Sequence, residues 1–214
     1  MLKILPSIAS ADPLALRDEI AQIQSIGRLH LDIEDGNFID NITFGLRTIT
    51  AIAREFHGSL DAHLMTTKPE CWLQPLAACG VSTICGHIEA LPYPRQFLRH
   101  ARSLGMKAGL AFNLKTGPTD LLPYKSDLDY VLVMTSEPDY GEQAFFECSF
   151  KRIEQFRNLL APETELWCDG GICPGHLPQL RASGASVAVM GRAIFSDDNP
   201  KNRLDLLERE ANNL

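Results

Sequence analysis

Residue types that bind metals or transfer protons stand at the ends of three short apolar segments. His30 and Asp32 lie in RLHLDIE, His63 lies in LDAHLM, and Asp169 lies in LWCDGG. Because side chains alternate along a strand, His30, Asp32 and Glu34 project to one face. Two imidazoles and two carboxylates that meet in space form a site for a divalent transition metal ion.

Each of these residues also has an ordinary structural explanation. A single histidine is commonly a satisfied core or surface residue, and a single aspartate commonly belongs to a turn. Their combined position at the carboxyl ends of strands in one repeating architecture favours a dispersed active site, which is typical of an enzyme.

The elements that would position this site alternate regularly along the chain. Strand-length apolar runs are followed by segments of helical period, in eight pairs. The strands are predicted near 2–7, 28–34, 60–65, 82–87, 106–112, 129–135, 164–168 and 186–190. One helix is predicted over 12–26, with Asp12 as its N-cap and Pro13 at its first position, and another over 68–79, stopped by Gly80.

This alternation predicts an α/β fold with a parallel sheet, and eight repeats in 214 residues fit a small (β/α)₈ TIM barrel. The competing architecture is a doubly wound open sheet. Such a sheet normally has a glycine-rich turn after its first strand, whereas LPSIAS at 5–10 contains no glycine.

In a barrel, the strand carboxyl ends and the loops after them form the active face. Ser7, Met65 and Met134 are expected there beside the metal-binding residues. The loops after strands seven and eight contain Gly170-Gly171 and Gly191-Arg192, where this fold commonly holds a phosphate on backbone N–H groups. Ordinary turn chemistry is the alternative explanation of these glycines.

Composition restricts the class of protein further. The chain is 45% hydrophobic and 22% charged, which suits a single catalytic domain over 1–214. The absence of a long apolar run or a signal-peptide pattern predicts a cytoplasmic protein that does not bind membranes. A net charge of −7 without a basic stripe argues against nucleic acid as a partner. Six cysteines without paired spacing indicate reduced, buried thiols. A homo-oligomer is compatible with all of these features.

Several motifs together resemble the ribulose-phosphate 3-epimerase family. They are LPSIASAD at 5–12, HLDIEDG at 30–36, NITFG at 41–45, AHLM at 62–65, GLAFN at 109–113, MT at 134–135, DGGI at 169–172 and GRAIF at 191–195. Their order and spacing span nearly the whole chain. The HLDIED and MTSEP variants resemble the subgroup of predicted sugar epimerases found in carbohydrate-uptake operons.

The resemblance implies an isomerase that inverts the carbon next to the carbonyl of a ketose phosphate and uses one divalent metal ion. It implies metal ligation by His30, Asp32, His63 and Asp169, with the two aspartates also carrying protons. Such an inversion needs one acid on each side of a planar intermediate. Zn, Fe(II), Mn and Co all remain open as the metal. Ser7 is implied to hydrogen-bond near the substrate or a catalytic carboxylate, or else is a turn serine.

Three departures from the family pattern concern the substrate. Glu34 replaces one of several methionines that cap the intermediate, while Met65 and Met134 are kept. The loop 137–143, EPDYGEQ, keeps only Gly141 of a glycine-rich lid and adds acidic residues. Arg192 replaces a serine and could bind a phosphate or carboxylate, or pair with a loop acid. The terminal group of the sugar or sugar phosphate therefore stays open.

Two other classes of function compete with an epimerase. A metal-assisted hydrolase or lyase could use the same barrel, although the His-x-Asp pair differs from the His-x-His usual in barrel hydrolases. A sugar-phosphate-sensing or interaction protein derived from an epimerase is the non-catalytic alternative. The altered lid loop favours it and the complete set of metal-binding residues opposes it.

Overall fold

The computed structural model describes residues 1–137 and 144–212 and contains eight strands and eight α-helices within these ranges. The strands are β1 (Lys3–Pro6), β2 (Arg28–Glu34), β3 (Ser59–Met65), β4 (Val81–His87), β5 (Lys107–Phe112), β6 (Tyr130–Met134), β7 (Glu165–Asp169) and β8 (Val187–Met190). The helices are α1 (Leu16–Ile23), α2 (Leu46–Glu55), α3 (Leu73–Ala78), α4 (Pro94–Ser103), α5 (Ser149–Leu159), α6 (Leu177–Ala182), α7 (Arg192–Phe195) and α8 (Pro200–Asn212).

The strands form one parallel sheet in the order β1-β8-β7-β6-β5-β4-β3-β2. A parallel bridge between Ser7 and His30 joins β1 to β2, so that the sheet nearly closes on itself. An α-helix lies between successive strands except between β5 and β6, where two 3₁₀ turns, Pro118–Leu121 and Lys125–Asp127, form the crossover. Eight parallel strands in sequence order, nearly closed and joined by such crossovers, confirm the predicted (β/α)₈ TIM barrel.

The predicted strands agree with the observed ones to within one residue at each end. The predicted start of the first helix is wrong. Asp12 accepts a hydrogen bond from the backbone N–H of Leu14 at 2.9 Å and forms a turn, and α1 begins only at Leu16. The segment predicted as a helix over 68–79 starts as a 3₁₀ turn, Pro69–Trp72, and continues as α3. Gly80, at φ +85°, follows the end of α3, as the sequence predicted.

Apolar side chains fill two layers. One layer packs the outer strand faces against the helices, and α4 contributes Phe97, Leu98 and Ala101 to it at helical spacing. The other layer fills the barrel interior with strand residues that include Tyr130 and Trp167. The interior near β2 and β3 carries polar side chains instead, so the apolar packing leaves one end of the barrel for the site.

The cysteine prediction is partly wrong. All six thiols are free, but Cys71, Cys148 and Cys173 are exposed, whereas Cys85 and Cys168 are buried. Among the described residues, no helix has the length and apolar character needed to cross a membrane.

Candidate metal and active site

The four candidate metal ligands meet at the carboxyl end of the barrel. His30 and Asp32 lie on β2, His63 lies on the adjacent β3 directly opposite Asp32, and Asp169 ends β7. One ligand atom from each residue lies within 4.8 Å of the others. The two imidazoles are buried, while the aspartate side chains are 13% and 14% exposed, so the carboxylates face the barrel mouth.

Asp61 orients the imidazole of His30. The Nδ1 atom of His30 bonds to the carboxylate of Asp61, and its Nε2 atom lies 3.2 Å from Asp32 Oδ1. Arg28 lies on the other side of Asp61, with Nε 3.4 Å from Oδ2. Burial alone would lower the pKa of His30, but the charges of Asp61 and Asp32 outweigh burial and raise it well above its usual value. Because Asp61 holds the Nδ1 atom of His30, its Nε2 atom points toward Asp32 and the rest of the cluster.

His63 lies between the two carboxylates. Its Nδ1 atom is 3.0 Å from Asp32 Oδ1 and 3.4 Å from Asp169 Oδ2. Its Nε2 atom points away, 2.8 Å from Nε2 of His87 at the end of β4. Because β7 is separated from β2 by β8 and β1, only barrel closure brings these carboxylates to one imidazole.

Asp32 and Asp169 have pKa values shifted in opposite directions. Burial alone would raise the pKa of Asp32, but the charge and hydrogen bonds of His30 and His63 outweigh it and lower the pKa. For Asp169, burial and then the neighbouring charge of Asp32 raise the pKa. Ser7 donates a hydrogen bond from Oγ to Asp32 Oδ2 at 2.5 Å, which further fixes that carboxylate as an acceptor.

This cluster could hold a metal ion. Two carboxylates in a largely dry site repel each other, and a divalent cation between them would remove that repulsion. The imidazoles of His30 and His63 each turn one nitrogen toward the carboxylates and are held by a hydrogen bond at the other, as in metal-binding histidines. The donor set therefore fits a transition metal ion.

Glu34 follows the cluster on the same face of β2. Its Oε2 atom accepts a hydrogen bond from Nδ2 of Asn41 at 2.6 Å, and its backbone N–H donates to Thr43 Oγ1 at 3.1 Å. Burial and, next, the charge of Asp32 raise the pKa of Glu34 to about 7. A half-buried carboxyl group with this pKa changes charge near neutral pH.

We expect Glu34→Gln to stabilise the metal-free protein more at pH 8 than at pH 5. A raised pKa means that the folded state holds the Glu34 proton more tightly than the unfolded state, so the free energy of unfolding falls as pH rises from about 4.5 to about 7. Glutamine removes this loss and can still accept the Asn41 bond. The difference in Tm between variant and wild type should be roughly 1–3 °C larger at pH 8.

Thermal melts of chelator-treated protein at both pH values measure this difference. Glu154→Gln, at an exposed position on α5, is the matched control and should show no pH-dependent difference. An equal change in Tm at both pH values for Glu34→Gln would contradict the raised pKa.

The predicted substrate-binding residues are distributed around the same mouth. Met65 and Met134 are buried at the ends of β3 and β6, and Met134 is opposite Asp169. Gly170 and Gly171 follow β7 at φ +112° and +63°, and a Cβ on Gly170 would lie 2.3 Å from the Oγ atom of Ser136. This backbone therefore requires glycine.

The loop after β8 is equally close-packed. A Cβ on Gly191 would lie 2.1 Å from the Oγ atom of Ser10, so β8 and the segment after β1 approach without room for a side chain. Arg192 is exposed at the start of α7. Gly141 and most of the loop predicted to form a lid lie outside the described residues.

Three supporting residues were not assigned by sequence reasoning. Asp61 and Glu89 bond to His30 and His87, and Arg152 donates to backbone carbonyls at the ends of β5 and β6. Asp61 stands two positions before His63 and so shares its face of β3, which was an available signal. Hydrogen bonds between residues on different strands leave no pattern in a single sequence from which they could be predicted.

Comparison with known proteins shows the family to which this chain belongs. The profile of the Ribulose-phosphate 3 epimerase family matches residues 3–195. Ribulose-phosphate 3-epimerase of Mycobacterium bovis is 34% identical over 97% of this chain and 92% of its own length. The enzyme of the same name from Rhodobacter capsulatus is 33% identical over 91% of this chain and 86% of its own length, and that of Bacillus subtilis is 30% identical over 95% and 97%.

Solved structures of other enzymes share the fold alone. Orotidine 5'-phosphate decarboxylase from Pyrococcus horikoshii superposes with a TM-score of 0.71 over 100% of both chains at 12% identity. A mutant tryptophan synthase α-subunit from Pyrococcus furiosus gives a TM-score of 0.71 at 16% identity over 100% of this chain and 98% of its own. The match to the family profile is of a different kind, because it is a match of sequence and extends over residues 3–195. This chain therefore belongs to the ribulose-phosphate 3-epimerase family and is a carbohydrate epimerase, an enzyme of the isomerase class.

Proposed function

We propose that this enzyme inverts C3, the carbon next to the carbonyl, of a pentulose or hexulose phosphate. Protons are exchanged by Asp32 and Asp169 through an enediolate, with one divalent metal ion bound by His30, Asp32, His63 and Asp169. The observation that carries the proposal is the approach of two carboxylates from non-adjacent strands to one imidazole nitrogen, at 3.0 and 3.4 Å. Two acids at one point of the barrel mouth are what inversion requires.

The two aspartates have complementary proton affinities. One aspartate accepts the α-proton as a carboxylate and the other returns a proton to the opposite face; in the metal-free site the pKa of Asp32 is lowered and that of Asp169 is raised, which supports Asp32 in the first role and Asp169 in the second. In the reverse reaction the two residues exchange roles. A divalent metal ion held by His30, Asp32, His63 and Asp169 would supply positive charge that polarises the ketone and stabilises the enediolate. Ser7 keeps Asp32 oriented through its hydrogen bond.

Neighbouring side chains supply the contacts that surround the reacting carbon. Met65 and Met134 provide polarisable apolar surface around a planar intermediate, and their burial keeps water from its faces. Glu34 is half-buried beside Asp32, where its carboxyl group can bond a substrate hydroxyl. A donor set of two nitrogens and two oxygens suits Zn, Fe(II), Mn or Co as the metal.

The far end of the substrate is assigned to the loops after β7 and β8. Gly170, Gly171 and Gly191 keep the backbone there free of side chains, so that N–H groups can approach a phosphate. Arg192 offers a guanidinium group at the same loop. The relatives named as ribulose-phosphate 3-epimerases support a phosphorylated substrate.

Exchange of the α-proton with solvent deuterium tests this function. In D₂O, the purified, metal-loaded enzyme should incorporate one deuterium at C3 of ribulose 5-phosphate or of another ketose phosphate, and should form the C3 epimer. We expect the free ketoses to react at least about tenfold more slowly, because they lack the remote anchor whose binding energy supports catalysis. NMR spectra of the sugar record both events.

Two results would contradict the proposal. Deuterium incorporation at another carbon would exclude C3 chemistry. Cleavage of the sugar without exchange would favour the hydrolase or lyase alternative, and binding of sugar phosphates by metal-loaded protein without exchange or epimer formation would favour the sensing alternative.

A further inference from the structure

The hydrogen bond between His63 and His87 constrains both rings. The two Nε2 atoms are 2.8 Å apart and the rings stack with centroids 4.9 Å apart. A bond between two neutral imidazoles needs hydrogen on one nitrogen and a lone pair on the other. Only donation by His63 leaves a lone pair on its Nδ1 atom, the atom that faces Asp32 and Asp169. The hydrogen position on His87 therefore decides whether His63 can bind a metal ion.

Glu89 settles that position on His87. Its Oε2 atom lies 3.2 Å from Nδ1 of His87. Its Oε1 atom accepts hydrogen bonds from the backbone N–H of Asn113, at 2.8 Å, and from the hydroxyl of Thr116. A carboxylate accepts from all three groups, so His87 carries its hydrogen on Nδ1 and offers the lone pair of Nε2 to His63.

The donors to Glu89 are themselves held in place. Arg152, which is buried, donates to the backbone carbonyls of Asn113 at 2.5 Å and Thr116 at 2.8 Å. The ring of Phe38 packs on His87 with centroids 4.7 Å apart. The loop after β5 therefore keeps the Glu89 carboxylate in one orientation, and His87 has little room to turn.

We propose that Glu89 and His87 are positioning residues that fix the tautomer of His63, with hydrogen on Nε2 and the lone pair of Nδ1 aimed at the metal site. This inference rests on the metal site of the proposed function. Asp61 does the same for His30 through one direct bond. Each metal-binding imidazole is thus held by a carboxylate, directly in one case and through a second imidazole in the other.

Glu89→Gln is the most informative variant, because it keeps the shape of the side chain and reverses the polarity of the network. The two donors at Oε1 hold the amide oxygen of glutamine, which leaves its NH₂ group facing Nδ1 of His87. His87 must then accept at Nδ1 and donate from Nε2, and His63 must place its hydrogen on Nδ1. We expect Zn²⁺ affinity to fall by about 10- to 100-fold, the range for outer-shell partners.

Glu89→Ala removes the carboxylate without reversing the polarity. If Glu89 only filled space, glutamine would be milder than alanine. The tautomer mechanism predicts instead that Glu89→Gln binds Zn²⁺ no better than Glu89→Ala. Glu165→Gln is the matched control, because Glu165 accepts from Trp167 Nε1 at the opposite end of the barrel and glutamine can accept there too. It should bind Zn²⁺ like the wild type.

Nitrogen-15 NMR of the histidine side chains in the Zn²⁺-loaded protein reads the tautomers directly. We expect His87 to be protonated on Nδ1 in the wild type and on Nε2 in Glu89→Gln. Wild-type His87 protonated on Nε2 would overturn the proposal, and this measurement decides the matter even if the variants do not fold.

Titration with Zn²⁺ distinguishes a failure of this inference from a failure of the proposed metal site. If the wild type and His63→Ala take up Zn²⁺ equally, the metal site is wrong. If the wild type binds, His63→Ala does not, and Glu89→Gln binds like the wild type, then the metal site stands and the positioning role of Glu89 is wrong.

Discussion

Replacement of either aspartate by asparagine is expected to lower the rate of epimerisation by about 10³-fold or more, since each residue supplies acid–base catalysis that is typically worth 10²- to 10⁴-fold and also binds the metal ion. Asparagine keeps an oxygen for coordination but cannot accept or return the proton. In Asp32→Asn the amide group can still hydrogen-bond to Ser7, because a hydroxyl both donates and accepts, so the barrel should stay folded.

The two variants should differ in the proton that they still exchange. With one carboxylate lost, the remaining one can remove the α-proton of the epimer that faces it and return a deuteron to the same side. Asp32→Asn and Asp169→Asn should therefore each exchange the C3 proton of one epimer, and opposite ones, without inverting it. NMR of both epimers in D₂O measures this.

Metal content must be measured in the same samples, because both aspartates are proposed ligands. A variant that keeps its metal ion and epimerises at the wild-type rate would remove that carboxylate from the mechanism. Exchange of the same epimer by both variants would show that the two groups do not act on opposite faces.

Loss of the His63 imidazole is expected to abolish metal binding. His63 contacts both carboxylates through Nδ1, so His63→Ala leaves three ligands and removes the only group that touches both aspartates at less than 3.5 Å among the described residues. Affinity for Zn²⁺ should fall by more than about 100-fold, beyond the usual range for an outer-shell partner, and epimerisation should be lost with it.

The control for this variant is His100→Ala, at an exposed position on α4. Elemental analysis and Zn²⁺ titration should show wild-type uptake for His100→Ala. Because His63 is fully buried, circular dichroism of His63→Ala must show a folded barrel, and His63→Gln, which fills more of the space, should also fail to bind. Equal uptake by His63→Ala and wild type would mean that the ion lies elsewhere.

Local regularities explain how much of the barrel followed from sequence. The strands are short apolar runs rich in residues of high β propensity, and they show little helical periodicity. Repetition of the βα unit leaves few possible topologies for a parallel sheet. The start of α1 could not be read in this way. An aspartate followed by proline has the chemistry of both an N-cap and a turn, and Asp12 forms the turn.

The candidate metal ligands were assigned from sequence because their residue type and the strand face on which they lie are visible locally. His30 and Asp32 share a face of one strand, and His63 lies opposite Asp32 once β2 and β3 pair. Gly80 could likewise be assigned, because its positive φ ends a helix whatever lies around it.

The proton positions and supporting contacts depended on tertiary structure. The carboxylate that orients His30 comes from the neighbouring strand, and the one that orients His63 through His87 is Glu89, held by a loop after a third strand. The raised pKa of Glu34 likewise depends on burial and on the charge of Asp32 in the closed barrel. Sequence thus determined which donors this protein has and on which strand face they lie. Only the tertiary structure decided their partners, by pairing of neighbouring strands for Asp61 and His87 and by closure of the barrel for Asp169, because hydrogen bonding and desolvation act through space between residues that are 20 or more positions apart in the chain.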